Sequence, residues 1–404
     1  MVICNGWKAT YMKGGEMDST DQVYVRLQKH LDNQPVGLPA TRSGVEIKIL
    51  KHIFTPSEAE IATCLSYKPE QIDKVFGRAG HLVRSKEELV KALDCILLKG
   101  GIGIELKGGE KQFFNIPLIV GMFEMQLGRL TPEFIKDFNK YTSDKKFGIE
   151  FLSTELPQMR TIPVAKSIHP HHHVSTFDEA TTLLKQSEGP FVILECICRK
   201  KKKIEGKTCM VTDRKETCLA IGSIAQSVLG AGVGREIASD EAMLIIEQNQ
   251  KDGLVLQPSN TEKADFICSC CGCCCGMLSI HKFLPKPLDF WASNFYAEVD
   301  INTCSGCAVC ETKCQVGAVQ IPTNKQIAFV DLNRCIGCGI CVSTCPNQAM
   351  SLLNKPVETR PPQTREDLYD IIMLKKKGRL GKLKLQGKLV MDTISTRQTM
   401  PAKQ

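Results

Sequence analysis

The sequence predicts a multidomain α+β protein, and three observations carry that expectation. The chain has 404 residues, 43% hydrophobic and 24% charged, which supports several packed cores and is too apolar for a disordered polymer. Residues from Val45 to about Pro117 carry helical periodicity closed by a hairpin pattern, whereas the later chain alternates short apolar segments with clusters of cysteine. Between Cys304 and Pro346 one C-x2-C-x2-C-x3-C spacing occurs twice, the second copy 31 residues after the first.

The boundaries read as an N-terminal arm over 1–37, a helix-rich domain over 38–117, a helical connector and linker over 118–188, a cysteine-rich α/β middle domain over 189–294, the cysteine repeat over 295–355, and a basic tail over 356–404. The arm carries an amphipathic patch at Val23, Val25, Leu27 and Leu31, and order is expected from Val45. Thr55-Pro56-Ser57-Glu58 and Ser85-Lys86-Glu87-Glu88 predict capping boxes opening two helices, with a short helix between them through Ile72, Val75 and Phe76. Ile102 to Leu106 and Gln112 to Ile116 flank Lys107-Gly108-Gly109-Glu110 and predict a hairpin. Helix, helix, helix, hairpin is the order of a winged-helix-like domain.

In a DNA reader, Arg78, His81, Arg84, Lys86, Lys107 and Lys111 would meet phosphates. Asp73, Glu87, Glu88, Asp94 and Glu110 interleave with them, so the domain is expected to dock a partner and nucleic acid is not the expected ligand. Helices are predicted over Leu118 to Leu127 and after Thr131-Pro132-Glu133, followed by an extended linker over 157–170. His169 and His171 to His173 read as a solvated loop, because consecutive histidines point apart.

In the middle domain, Phe191 to Leu194 predicts a strand, and Ile221 to Leu229 a helix stopped by Gly230-Ala231-Gly232-Val233-Gly234. That glycine string follows a helix, so it lacks the preceding strand that a nucleotide loop requires. Cys196, Cys198, Cys209 and Cys218 precede Cys268, Cys270, Cys271, Cys273, Cys274 and Cys275. Six thiols within eight residues need a counter-cation, since thiolates repel one another. A third iron-sulfur cluster drawing on both groups is favoured, with structural zinc and a redox dithiol as alternatives. Spacing does not select the ligands.

The repeat closely resembles the two-cluster bacterial ferredoxins over about residues 295–355, with Cys304, Cys307, Cys310, Cys314, Cys335, Cys338, Cys341, Cys345 and Pro346 as the matching positions. The resemblance implies two [4Fe-4S] clusters, the first on Cys304, Cys307, Cys310 and Cys345 and the second on Cys335, Cys338, Cys341 and Cys314, because the fourth cysteine of each run serves the other cube. Zinc sites show separated C-x2-C pairs rather than triplets with a distant fourth ligand. Apolar segments before and after each run, Ala297 to Ile301 with Ala318 to Ile321 and Ile327 to Leu332 with Ala349 to Leu353, are expected to form one hairpin per repeat. Gln315 departs from the pattern, standing where the second copy has Pro346, and loosening of the first loop is expected. The C-x-C-R segment and the C-C-G-C-C-C run together resemble larger, uncharacterised ferredoxin-like proteins of anaerobes, a likeness that implies no specific activity.

Seven basic residues, Lys375, Lys376, Lys377, Arg379, Lys382, Lys384 and Lys388, nearly equal the formal net charge of +8. Gly378, Gly381 and Gly387 argue against a long helix there. An acidic partner protein is the favoured ligand of this tail, with contact to an anionic membrane surface as the alternative. With no apolar leader and no run long enough for a membrane span, a cytoplasmic, anaerobic electron-transfer protein is expected. It would pass single electrons through its clusters between a soluble donor and a partner redox enzyme. The alternatives are an oxidoreductase subunit with a catalytic cluster in the middle domain and an iron-sulfur transcription regulator. No catalytic residue is expected, since no paired acid and base stands out.

Overall fold

The computed structural model describes residues 20–168, 175–322 and 326–399. Of these, helices and small sheets divide between two compact units: the first holds the described residues up to 155 with 221–236 and 369–376, and the second holds those of 156–220, 237–368 and 377–399. Among the described residues no helix is long and apolar enough to cross a membrane.

In the first unit, part of the expected arm is a helix, Thr20–Asp32, whose Val23, Tyr24, Leu27 and Leu31 are buried on one face while Val25 faces out. Their spacing of three and four residues gives the helix an apolar stripe to pack, which holds the segment in place. Residues 1–19 lie outside the described residues, as do His169 and His171 to His173. After helix Val45–Ile53 the first capping box forms as expected: Thr55 Oγ1 accepts from the Glu58 N–H at 3.4 Å, and the Thr55 N–H donates to Glu58 Oε2 at 2.8 Å. At the second, Ser85 Oγ accepts from the Glu88 N–H, but the Glu88 carboxylate takes the N–H of Arg84 instead of Ser85.

Helices Pro56–Ala62, Ile72–Ala79 and Lys86–Leu98 lead into a three-stranded antiparallel sheet of β1 (Glu70–Gln71), β2 (Ile102–Lys107) and β3 (Glu110–Asn115), in the order β1-β3-β2. Helix Gly222–Gly230 belongs to this unit rather than to the middle domain: Ser227 Oγ accepts from the Ile104 N–H at 2.8 Å and donates to its carbonyl at 2.9 Å. The helix expected over 118–127 does not form. Ile119 is extended and Val120 left-handed at φ 60°, leaving one short turn at Glu124–Gln126, because two β-branched residues before a glycine resist helical geometry.

In the second unit, β4 (Phe191–Glu195), β5 (Glu216–Ile221, all but its last residue), β7 (Val255–Pro258) and β8 (Phe266–Cys270) lie side by side in the order β4-β5-β8-β7, while β6 (Arg235–Ile237) falls mostly within the first unit. Strand β8 runs antiparallel to both β5 and β7. The expected linker is extended, yet it is buried: Met159 and Ile162 bridge Ser259 and Leu256, and Thr161 and Ile162 are fully covered. Arg160 explains why. Its guanidinium donates to the carbonyls of Ser259, Phe177 and Thr261 and to Asp178, whose other oxygen accepts from Asn294 Nδ2 at 2.7 Å.

The cysteine repeat folds differently from the expected pair of hairpins. Strand β9 (Phe295–Val299), ahead of the first run, pairs with β12 (Met350–Asn354), which follows the second; β10 (Val319–Gln320) and β11 (Phe329–Val330) pair between them. The two copies are therefore interleaved. Left-handed residues recur at matching places, Gly306 with Gly337, Ala308 with Gly339 and Gly317 with Gln348, so the repeat in sequence is also a repeat in backbone.

The tail, too, departs from expectation. Residues Arg379–Thr399 form one helix despite Gly381 and Gly387, because it is docked: Leu385 is buried, and Lys286–Asp392 and Lys388–Asp289 ion pairs, both 2.7 Å, join it to the segment 286–289. Leu380 and Leu383 remain exposed.

Replacing Arg160 with Met should lower the stability of the protein by about 3–5 kcal/mol, the loss typical of stranding one member of a buried charge pair. Denaturation of the metal-loaded protein measures it, and a loss below about 1 kcal/mol would contradict the central role given to Arg160.

Candidate metal centres

The interleaving of the repeats gathers the cysteines into two sets. Cys304, Cys307, Cys310 and Cys345 line one cavity, together with Pro346 and Ile321. Cys314 lies close enough to Cys335, Cys338 and Cys341 to raise the proton affinity of each. Four backbone N–H groups point at sulfur: Ala328 to Cys304 at 3.4 Å, Ala297 to Cys335 at 3.3 Å, Ala318 to Cys314 at 3.2 Å and Ala349 to Cys345 at 3.3 Å. The donors to Cys304 and Cys335 each come from the segment ahead of the opposite repeat, so each copy completes the other.

Two glycines of the repeat are needed where they stand. At Gly337, φ is 64° and a Cβ would lie 2.2 Å from the Phe295 carbonyl oxygen; at Gly306, φ is 68° and the corresponding gap to Gln326 is 2.4 Å. The two sets differ in cover. Cys307 is exposed, whereas Cys335 and Cys341 are buried and the Val164 N–H bonds the Cys338 carbonyl at 3.0 Å. Burial pushes the Cys338 thiol up to about 12 and raises Cys341 as well, which shows how poorly this interior tolerates a thiolate without a cation beside it.

Gln315 does not loosen its loop. Its side-chain oxygen accepts from the Gly272 N–H at 2.8 Å, Lys282 Nζ donates to the Gly272 carbonyl at 3.0 Å, and a Cβ on Gly272 would stand 2.1 Å from the Gln315 carbonyl oxygen. Glutamine at this position thus clamps the C-C-G-C-C-C loop to the loop of Cys314, a contact proline's ring would not supply. From that loop, helix Gly276–Phe283 starts at Cys275 and ends on Arg334, which donates to the carbonyls of His281, Lys282 and Leu284 one residue before Cys335. Sequence reasoning missed Arg334 and His281. The His281 ring is fully buried against Trp291, and burial lowers its pKa to about 3, which keeps it neutral.

None of the ten middle-region cysteines is disulfide-bonded. Cys209, Cys271, Cys273 and Cys274 bring their sulfurs within 4.8 Å of one another, with Cys209 3.6 Å from Cys271 and 3.7 Å from Cys273, and Cys273 3.6 Å from Cys274. Burial opposes ionisation of Cys209, but the backbone N–H groups of Thr212 and Val211 and the thiols of Cys271 and Cys273 outweigh it, and its pKa falls below the ordinary value. Burial and the charges of Cys209 and Cys273 push Cys271 up to about 12. Cys196, Cys198, Cys218, Cys268, Cys270 and Cys275 are not part of that group.

Arg199 is the cation between them: buried, it reaches Cys271 Sγ at 3.8 Å and donates to Thr217, while its Nε finds no partner. Burial alone would lower its pKa, but the charges of Cys196, Cys218 and Cys271 raise it. In the first unit, by contrast, three of the six cations noted for DNA contact are engaged with carboxylates, Arg78 with Glu70, Lys86 with Asp73 and Lys111 with Asp94.

Residues 303–350 match the family described as the 4Fe-4S dicluster domain. No curated protein and no solved structure matches the chain. The C-terminal cysteine repeat is accordingly a ferredoxin-type 4Fe-4S domain, and through it the chain binds at least one such cluster.

Proposed function

We propose that this chain is an iron-sulfur electron-transfer protein that passes single electrons through two [4Fe-4S] clusters between a soluble donor and a partner redox enzyme. The observation that supports it most is the interleaved repeat, in which Cys345 shares a cavity with Cys304, Cys307 and Cys310 while Cys314 stands beside Cys335, Cys338 and Cys341. These are the two ligand sets. Cubes bound there supply one-electron acceptance and release without large rearrangement. The protein's own groups do the rest: N–H donors from Ala297, Ala318, Ala328 and Ala349 stabilise charge on sulfur, and apolar residues such as Val316, Ile336 and Ile340 exclude water.

The exposed Cys307 makes the first cluster the side on which a partner docks. Leu380, Leu383 and the lysines of helix Arg379–Thr399 offer an apolar and basic surface suited to an acidic protein, and an anionic membrane is the competing ligand. The helix-and-hairpin domain of the first unit is read as a winged-helix-like docking module, since carboxylates pair three of its candidate phosphate-contacting cations and interleave with the rest. A cytoplasmic, low-oxygen setting suits this many metal-directed thiols. A second reading, an oxidoreductase subunit with a catalytic cluster in the middle region, draws on the ten further cysteines beside the ferredoxin-type domain.

The Cys314→Ser change should alter the spectrum of the second cluster first, although Cys314 belongs to the first run; damage confined to the first cluster would contradict the shared-ligand assignment. For the tail, electron transfer to an acidic acceptor protein should slow several-fold between low and about 0.5 M salt, and the double change Arg379→Glu with Lys384→Glu should slow it at low salt. Rates that ignore salt and both changes, or cosedimentation with anionic vesicles lost in the double variant, would count against the protein-partner reading.

A further inference from the structure

We propose that the ten cysteines of the middle region form two metal centres, not one: a single tetrahedral zinc on Cys209, Cys271, Cys273 and Cys274, and a polynuclear iron-sulfur centre inside a ring made by Cys196, Cys198, Cys218, Cys268, Cys270 and Cys275.

The four-sulfur set has the dimensions of a mononuclear site. Zinc bonded to four thiolates at about 2.3 Å in a tetrahedron places the sulfurs about 3.8 Å apart. The observed separations are 3.6, 3.7 and 3.6 Å, and all four sulfurs fall within 4.8 Å of one another. A [4Fe-4S] cube sets its ligating sulfurs much farther apart, since each iron at a corner carries its own cysteine. The set in hand is too tight for that.

The other six thiols form a closed circuit. Each thiol feels the next electrostatically: Cys196 interacts with Cys198 and Cys218, Cys198 with Cys275, Cys275 with Cys270, Cys270 with Cys268, and Cys268 with Cys218. The fold makes this circuit in three ways. The antiparallel register Leu219↔Ile267, carried one pair further, sets Cys218 opposite Cys268. Alternation along β8 puts Cys268 and Cys270 on one face, with Ser269 on the other. Cys196 and Cys275 then stand at the first turns of helices Ile197–Ile204 and Gly276–Phe283, which close the circuit from opposite chain segments.

Among the described residues, no three members of this ring have sulfurs within 4.8 Å of one another, as the members of the four-sulfur set do. Neighbours interact in pairs but no three converge, so one ion cannot gather the ring. Six thiolates also exceed the four terminal ligands of one cube, which calls for bridging thiolates or additional iron. The ring borders the ferredoxin-type domain: Cys270 and Cys275 share an apolar core with Cys310, Cys335 and Cys341. A role for the ring as a further relay rests on the electron-transfer reading; the division into two sites does not.

The test is metal analysis of the anaerobically purified full chain. It should hold about one zinc and at least about 12 iron, eight of them from the two cubes. Cys273→Ser with Cys274→Ser should remove at least nine-tenths of the zinc and leave the iron; Cys268→Ser with Cys270→Ser should bring iron down to about eight and leave the zinc. Because either variant risks misfolding, zinc-edge X-ray absorption on the unmutated protein gives a second measurement: four sulfurs at about 2.3 Å and no iron neighbour are expected. Iron neighbours around zinc, the absence of zinc, disulfides in place of the ring, or joint loss of zinc and excess iron in either variant would overturn the proposal. Iron of about eight with both cube spectra intact would overturn it while leaving the electron-transfer reading standing; excess iron without the cube spectra would do the reverse.

Discussion

A buried thiolate needs positive charge beside it, and the second unit is arranged around that requirement. Burial, with neighbouring cysteines, drives Cys338 and Cys341 toward the protonated form, and Arg199 is the arginine shared among the middle-region thiols Cys196, Cys218 and Cys271. Metal ions would supply further charge where the fold brings sulfurs together. N–H groups supply partial charge at the rest. The close approaches at Gly272, Gly306 and Gly337 follow from the same need, because backbone must crowd against backbone to aim its donors.

Interleaving is the structural answer for the ferredoxin-type domain. If each run paired only with its own flanking strands, its fourth cysteine would stay with its own triplet. Pairing β9 with β12 and β10 with β11 instead carries each strand across to the other copy. The clamp between Gln315 and Gly272 and the helix running from Cys275 to Arg334 extend this connectivity to the middle region. Arg160, tying the buried stretch 158–164 to Asp178 and the carbonyls near β7 and β8, holds the wall behind it.

The cysteine repeat was legible because metal chemistry dictates the spacing of its ligands, and the Thr55 cap because one side chain and one N–H decide it. Strand pairing was not legible: both the hairpin and the interleaved arrangement satisfy the same apolar alternation, and only the three-dimensional path of the cysteine loops separates them. The tail helix was hidden for a related reason. Gly381 and Gly387 weaken it in isolation, and the contacts that stabilise it, Leu385 and the Lys286–Asp392 pair, depend on partners a hundred residues away. Among the ten middle-region cysteines the grouping depended on sheet register and helix starts, which spacing does not encode. Gln315 was visible as a departure, but its meaning required Gly272 beside it.

The central claim is that two interacting cubes lie in one interleaved domain. Low-temperature electron paramagnetic resonance during stepwise anaerobic reduction tests it most directly, since neighbouring reduced cubes couple magnetically. Simple signals from singly reduced molecules should give way to a broadened, interacting spectrum as the second cube takes its electron. A simple spectrum of one isolated cube persisting to full reduction would contradict the account.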